Sequence, residues 1–184
     1  MGTAGLLPFP LGGFWHDGNT DLLTSGDPQC INGNVYEVPN SKHLLGSTVK
    51  VRVVQLDGTA ITGAKRGVAF GTGEGDFGRK VSGYVSAAGA VGKPIHESYN
   101  GLTIANGAQF YVVEEGPVDI LYETSSVTTS NIVGGLVQFD GSGYIDDTPA
   151  TDDDFVVGRL DENPTATNTA YRVMVEGGLI NLGG

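Results

Sequence analysis

The chain of 184 residues has a single cysteine, Cys30, which excludes an intramolecular disulfide and points to synthesis in a reducing compartment. Cys30 itself reads as a small buried hydrophobe. No Lys or Arg precedes Lys42, and the opening MGTAGLLPFPLGGFW is interrupted by Pro8 and Pro10. It therefore lacks the charged start and continuous apolar run of a secretory signal. No apolar stretch approaches the length needed to cross a bilayer as a helix, and the expectation is a soluble intracellular product. Helix signals are nearly missing too. The best candidate, VSAAGAVGK at 85–93, holds two glycines and no charged face, so one short turn is the most it should form. Charged residues are only 17% of the chain and methionine occurs twice, whereas glycine occurs 30 times among many Val, Thr and Ile. That balance favours strands and turns.

Two regions differ in pattern. Residues 1–45 show neither a helical nor a strand period, yet Leu6, Leu7, Phe9, Leu11, Phe14 and Trp15 crowd the first fifteen positions. A segment that is irregular and apolar buries itself poorly, so it is expected to be an extended arm lying on a partner surface. Residues 46–184 form the expected β-rich body, either as one barrel or as two small lobes of about 46–125 and 126–184. Its first strand is STVKVRVVQL, where Val49, Val51 and Val53 face one way and Lys50 and Arg52 the other. Asp57-Gly58 predicts a hairpin into TAITGA. Further strands are predicted at 66–72, 79–87, 108–115, 118–123, 134–140, 154–160 and 170–182. Turns are predicted at Asn100-Gly101, Asn106-Gly107, Gly116-Pro117 and Asp140-Gly141. Many short antiparallel strands at this spacing predict an all-β sandwich or barrel.

Two motifs invite a ligand and fail on their context. GTGEGDFG at 71–78 contains G-x-G-x-x-G, which cradles a pyrophosphate only when it leads from a strand into a helix. Here a strand-like RKVSGYVSA follows, and Glu74 and Asp76 would repel phosphate, so the loop reads as a wide hairpin. FDGSGYID at 139–146 resembles the middle of an EF-hand loop, but Gln138 and Pro149 stand at the first and twelfth ligand positions. A tight turn between strands accounts for Gly141 and Gly143. Asp146, Asp147, Asp152, Asp153 and Asp154 gather on a Pro-containing loop that reads as solvated and strongly negative. His16, His43 and His96 are isolated from one another and from Cys30, and no G-x-S-x-G elbow is present. No catalytic residue, metal or cofactor is expected, and the chain does not read as an enzyme.

Net charge is −11 and lies mainly in the second half, where residues 94–184 carry Arg159 and Arg172 against fourteen acidic residues. That half should repel nucleic acid and anionic lipid. The run GPVDILYE, GGLVQFDGSGYID, DDDFVVGRLDE and AYRVMVEGG, within about 100–184, is similar to the cement or head-decoration proteins of tailed bacteriophages. In those a G-x-L-V strand is followed by a turn, a VVGRL strand and a closing strand. The resemblance implies a structural virion protein on the capsid exterior that bridges major capsid protein subunits, with trimers at local three-fold positions. The arm residues would then contact the capsid or a neighbouring protomer. A different reading is a trimeric receptor- or carbohydrate-binding β-module of a phage tail or adhesin. It would need a shallow aromatic platform, for which Tyr84, Tyr99, Tyr111, Tyr122, Tyr144 and Tyr171 are the candidates.

Overall fold

The structure is a computed structural model and describes residues 32–39, 48–86, 91–122, 133–146 and 155–181. It is all-β, as the pattern predicts, with one 3-10 turn at Glu97–Tyr99 among the described residues. The central strand is β8, Gln109–Leu121, whose residues are buried on both faces along most of its length. A strand that is apolar on both sides must be covered on both sides, which places β8 in the middle of the sheet.

The first half of β8 pairs antiparallel with β2, Thr48–Leu56, from Gln55↔Gln109 to Lys50↔Glu115. In β2 the alternation holds as read: Val49, Val51 and Val53 are buried, while Lys50 is exposed and Arg52 half-buried. The end of β2 pairs with β5, Lys80–Tyr84; β5 pairs with β4, Gly67–Phe70, and β4 with β6, Gly92–Pro94. Just beyond β6, Ile95 bridges to Val112 of β8. Strands β8, β2, β5, β4 and β6 thus form one circuit.

The second half of β8 pairs with β12, Ala170–Asn181, then in order come β11, Phe155–Leu160, β9, Leu136–Phe139, and β10, Ile145–Asp146. Ile145 bridges back to Tyr122 at the end of β8. Both halves of β8 therefore lie in hydrogen-bonded circuits. A closed circuit leaves few free strand edges. The core is shared, with Tyr99 stacked edge-on to Phe110 at 6.1 Å in one half and Tyr122 edge-on to Tyr171 at 6.0 Å in the other.

Several local expectations are corrected. Asp57-Gly58 does not close a hairpin: β3, Ile61–Thr62, pairs instead with β7, Thr103–Ile104. The neighbouring edge of β2 is taken by β5 in parallel, so the strands are not all antiparallel. The long excursion through 57–79 supplies the crossover that a parallel pair requires. Gly116-Pro117 is not a turn either. It lies inside β8, where Gly116 adopts φ +114 and the strand passes from one circuit to the other. Residues 35–39, inside the region expected to be an arm, form β1, Val35–Pro39, antiparallel to β2. VYEVP is too short to establish a period by itself, and tertiary pairing decides its conformation. Residues 1–31 lie outside the described residues.

Candidate interaction surface

The GTGEGDFG loop joins the antiparallel pair β4 and β5, and a strand rather than a helix follows it. Asp76 organises it. Its N–H donates to the Gly73 carbonyl at 3.0 Å, its own carbonyl accepts from Arg79 and Lys80 at 2.9 Å, and its carboxylate pairs with Lys80 at 3.2 Å. With a carboxylate in the middle of the loop, the amides of Asp76, Arg79 and Lys80 turned to the loop's own carbonyls, and a strand in place of the following helix, the loop lacks the features of a phosphate cradle. Phe77 projects from it, 54% exposed, and rests edge-on against Phe70 at 5.3 Å.

The DGSG segment is a turn between β9 and β10, as the sequence predicts. Asp140 Oδ1 accepts from the amides of Ser142 at 2.7 Å and Tyr144 at 2.9 Å. This turn is clasped to the other circuit. Gly67 donates to the Gly143 carbonyl at 2.7 Å, and the Phe139 ring lies where a Cβ on Gly67 would stand. The Arg66 guanidinium sits 3.9 Å from the Tyr84 ring and 4.7 Å from the Tyr144 ring and donates to the Ser142 carbonyl. Tyr84 is held above the usual phenol range by burial, with Arg66 acting in the opposite direction.

Beneath the middle of β8 lies a cluster of charges that the sequence did not reveal. Lys93, 3% exposed, donates to the carbonyls of Glu114 at 3.2 Å and Glu176 at 3.1 Å, and its ammonium lies 3.7 Å from the Glu114 carboxylate. The other Glu114 oxygen accepts from Arg52. Burial lowers the Lys93 pKa from its ordinary value, Glu114 opposes that shift, and the Arg52 charge adds to it. This cluster ties β2, β6, β8 and β12 together.

Above it, where β8 passes between its two partners, a groove of about 540 Å³ opens to solvent. Gly116, Pro117, Met174 and Val175 supply its apolar lining, and Glu37, Lys50, Glu115 and Glu176 supply charge around it. Glu115 pairs with Lys50 at 2.6 Å, Glu176 with Arg159 at 2.7 Å, and Glu37 accepts from the Thr48 hydroxyl at 2.7 Å. The groove was hidden from the sequence because its lining comes from β1, β2, β8 and β12, brought together by the irregular step at Gly116.

The residues singled out from sequence fare unevenly. Leu6, Leu7, Phe9, Leu11, Phe14 and Trp15 lie outside the described residues, as do Cys30, His16, His43 and positions 147–154 of the acidic loop. His96 caps the 3-10 turn, its Nδ1 accepting from the Ser98 amide at 3.2 Å. Of the six tyrosines, Tyr99, Tyr111, Tyr122 and Tyr171 are buried, so the six do not make a common platform. Only Tyr84 and Tyr144 share a surface, with Arg66 between them. Among the described residues no group of three His, Cys, Asp or Glu side chains could hold a metal ion, and no helix is long and apolar enough to cross a membrane.

No protein-family model and no curated protein matches the chain. Among solved structures, a match is the crystal structure of the N base of head fiber gp8.5 in bacteriophage phi29, at 12% identity and a TM-score of 0.43. It covers 71% of this chain and 98% of that one.

Proposed function

We propose that this protein is a structural component of a tailed-phage virion that binds the outer surface of the head and stabilises it by bridging neighbouring major capsid protein subunits. The observation that carries this reading is the placement of the segments that resemble head-decoration sequences. GGLVQF, DFVVGRL and AYRVMVEGG become β9, β11 and β12, which are successive neighbours in one sheet, and the intervening DGSG is the turn into β10. Segments whose order resembles a family and which also fold as adjacent strands make a coherent unit rather than scattered matches.

The physical demands of such a role agree with the remaining features. A shell-bound unit must hold its shape, and here two strand circuits share β8 and a continuous core. Among the described residues β1 pairs only with β2, leaving an edge that symmetric closure as a trimer would cover. The arm residues Leu6, Leu7, Phe9, Leu11, Phe14 and Trp15 contact the capsid or an adjacent protomer, each well-buried aromatic contributing about 2 kcal/mol. Many such arms acting together give a firm attachment from individually weak contacts.

The test is co-sedimentation with empty heads. The full chain should pellet with the heads, and a variant lacking residues 1–20 should stay in the supernatant while retaining the β-type circular dichroism of the body. Full occupancy by the truncated protein would refute the role of the arm. Failure of the full chain to pellet at any concentration would refute head binding altogether.

A further inference from the structure

The charges around the groove at the Gly116 step are matched. Glu115 pairs with Lys50 and Glu176 with Arg159, and beneath them Glu114 stands between Arg52 and Lys93, while Glu37 accepts from the Thr48 hydroxyl. A rim of this kind selects no charged occupant. We propose that the groove is the seat in which the free protein holds the stretch LPFPL, residues 7–11 of its own N-terminal arm, until a head competes for it. The inference rests on the arm reading above and names what the arm does before attachment.

Three observations lead there. First, the floor is apolar and uncovered among the described residues: Met174, 37% exposed, lies with Pro117 and Val175, and Gly116 and Gly177 add no side chain beside them. Methionine adapts its shape to what lies on it, and an aromatic ring is a favourable neighbour for its sulfur. Second, the arm is the matching segment. Residues 2–15 contain no Asp, Glu, Lys or Arg, so seating them leaves every ion pair of the rim in place. Third, Pro8 and Pro10 prepare the stretch for docking. Each proline fixes its own φ, and each restricts the residue before it, Leu7 or Phe9, to extended backbone. Little conformational freedom is then lost on binding, and two fewer N–H groups need partners when covered.

Size and reach agree. A groove of about 540 Å³ holds one large ring with its neighbours rather than the whole arm, which singles out Phe9 between its prolines. The chain enters β1 where Gly33 bonds to Val53, and the lining residue Lys50 lies three positions along β2, about 10 Å away. The roughly 24 residues from Phe9 to Gly33 span up to about 80 Å, so the arm reaches its own groove with length to spare. A tether also supplies an effective concentration of about 1 mM, which fills the seat even if the free segment binds weakly. Other segments outside the described residues fit less well: 40–47 carries Lys42, 123–132 is mainly Ser and Thr, and 147–154 is rich in Asp.

The test uses the isotopically labelled full chain, followed by NMR, beside a full-length variant carrying Leu7→Ser and Phe9→Ser. The probe is an acetylated and amidated peptide spanning residues 5–12, GLLPFPLG. Emptying the seat in the variant should shift the amides of Glu115, Gly116 and residues 174–177. Added peptide should return them toward their positions in the parent, with a Kd of about 0.3 mM or tighter. In the parent the same peptide should bind about fourfold more weakly, because the tethered arm competes at about 1 mM. Salt at about 0.5 M should leave the variant's Kd within about twofold, since no charge pairs across the contact. Adding Met174→Ser to the variant should weaken the peptide at least about threefold. The parent's shifts should stay the same on dilution from about 1 mM to about 20 μM, as a contact within one chain requires. Identical spectra of parent and variant at these amides, equal affinity of the peptide for both, or shifts confined to another surface would each overturn the proposal. So would shifts that fade on dilution, which would mean a neighbour's arm fills the groove. Head co-sedimentation is a separate readout, so failure here leaves the decoration reading standing.

Discussion

Removing one partner from the buried charge cluster should be far more damaging than removing the other. Glu114 is 8% exposed and stands between two cations, Arg52 and the 3% exposed Lys93. Glu114→Gln keeps the shape but deletes the only negative charge between them in this cluster. Leaving a buried cation uncompensated typically costs 3–5 kcal/mol. Arg52 keeps partial access to water, and Lys93 keeps its two carbonyl partners, so the lower end, about 3 kcal/mol, is expected here. Lys93→Met is different. Glu114 keeps Arg52, methionine fills the space of the lysine stem, and the cost of holding an ammonium out of water disappears. The expected change is within about 1 kcal/mol of the parent protein. Urea denaturation followed by circular dichroism measures both. pH separates the variants further. Because burial lowers the Lys93 pKa below its unfolded value of 10.5, the unfolded chain binds more protons than the folded one between those two values. Stability contributed by this group therefore rises with pH across that window and is flat below it. The difference between the parent and Lys93→Met should move in the parent's favour as pH climbs toward 10.5. A Lys93→Met loss equal to that of Glu114→Gln, or a difference that does not change with pH, would refute this account of the cluster.

Other perturbations probe the joints of the fold. Gly67→Ala would place a Cβ 2.4 Å from the Phe139 ring, so the β9–β10 turn must shift, with a loss of about 1–3 kcal/mol in chemical denaturation. Tyr171→Phe removes the hydroxyl that meets the amides of Thr165 at 2.8 Å and Ala166 at 2.7 Å; a loss of about 1–2 kcal/mol is expected, with faster hydrogen exchange at those two amides. Arg66→Met should cost about 1 kcal/mol through the lost contacts with Tyr84, Tyr144 and Ser142, visible as a lower melting temperature with unchanged secondary structure.

The strands that carry their own pattern were legible from sequence. Alternating Val49 to Val53 in β2, and the apolar runs of β8, β9, β11 and β12, mark half-buried or buried strands without help from the rest of the chain. The GTGEGDFG and DGSG loops were legible because charge and context argue against their ligand-binding namesakes. What stayed hidden was long-range. Gly116-Pro117 has the chemistry of a turn and becomes the transition inside β8, since pairing with β2 on one side and β12 on the other holds the chain extended. Gly92-Lys93-Pro94 has no strand signature, yet pairing with β4 makes it β6 and carries a lysine into the interior. Asp57-Gly58 favours a hairpin locally but loses to the parallel pairing of β2 with β5. The groove and the charge cluster depend on these same long-range pairings, and neither has a local motif.

Head attachment is the central claim, and electron microscopy of the purified full chain mixed with empty heads tests it most directly. The account predicts added density on the outer face of the shell, bridging neighbouring capsid subunits at repeated local three-fold positions. Heads that look the same with and without the protein at saturating concentration would contradict it.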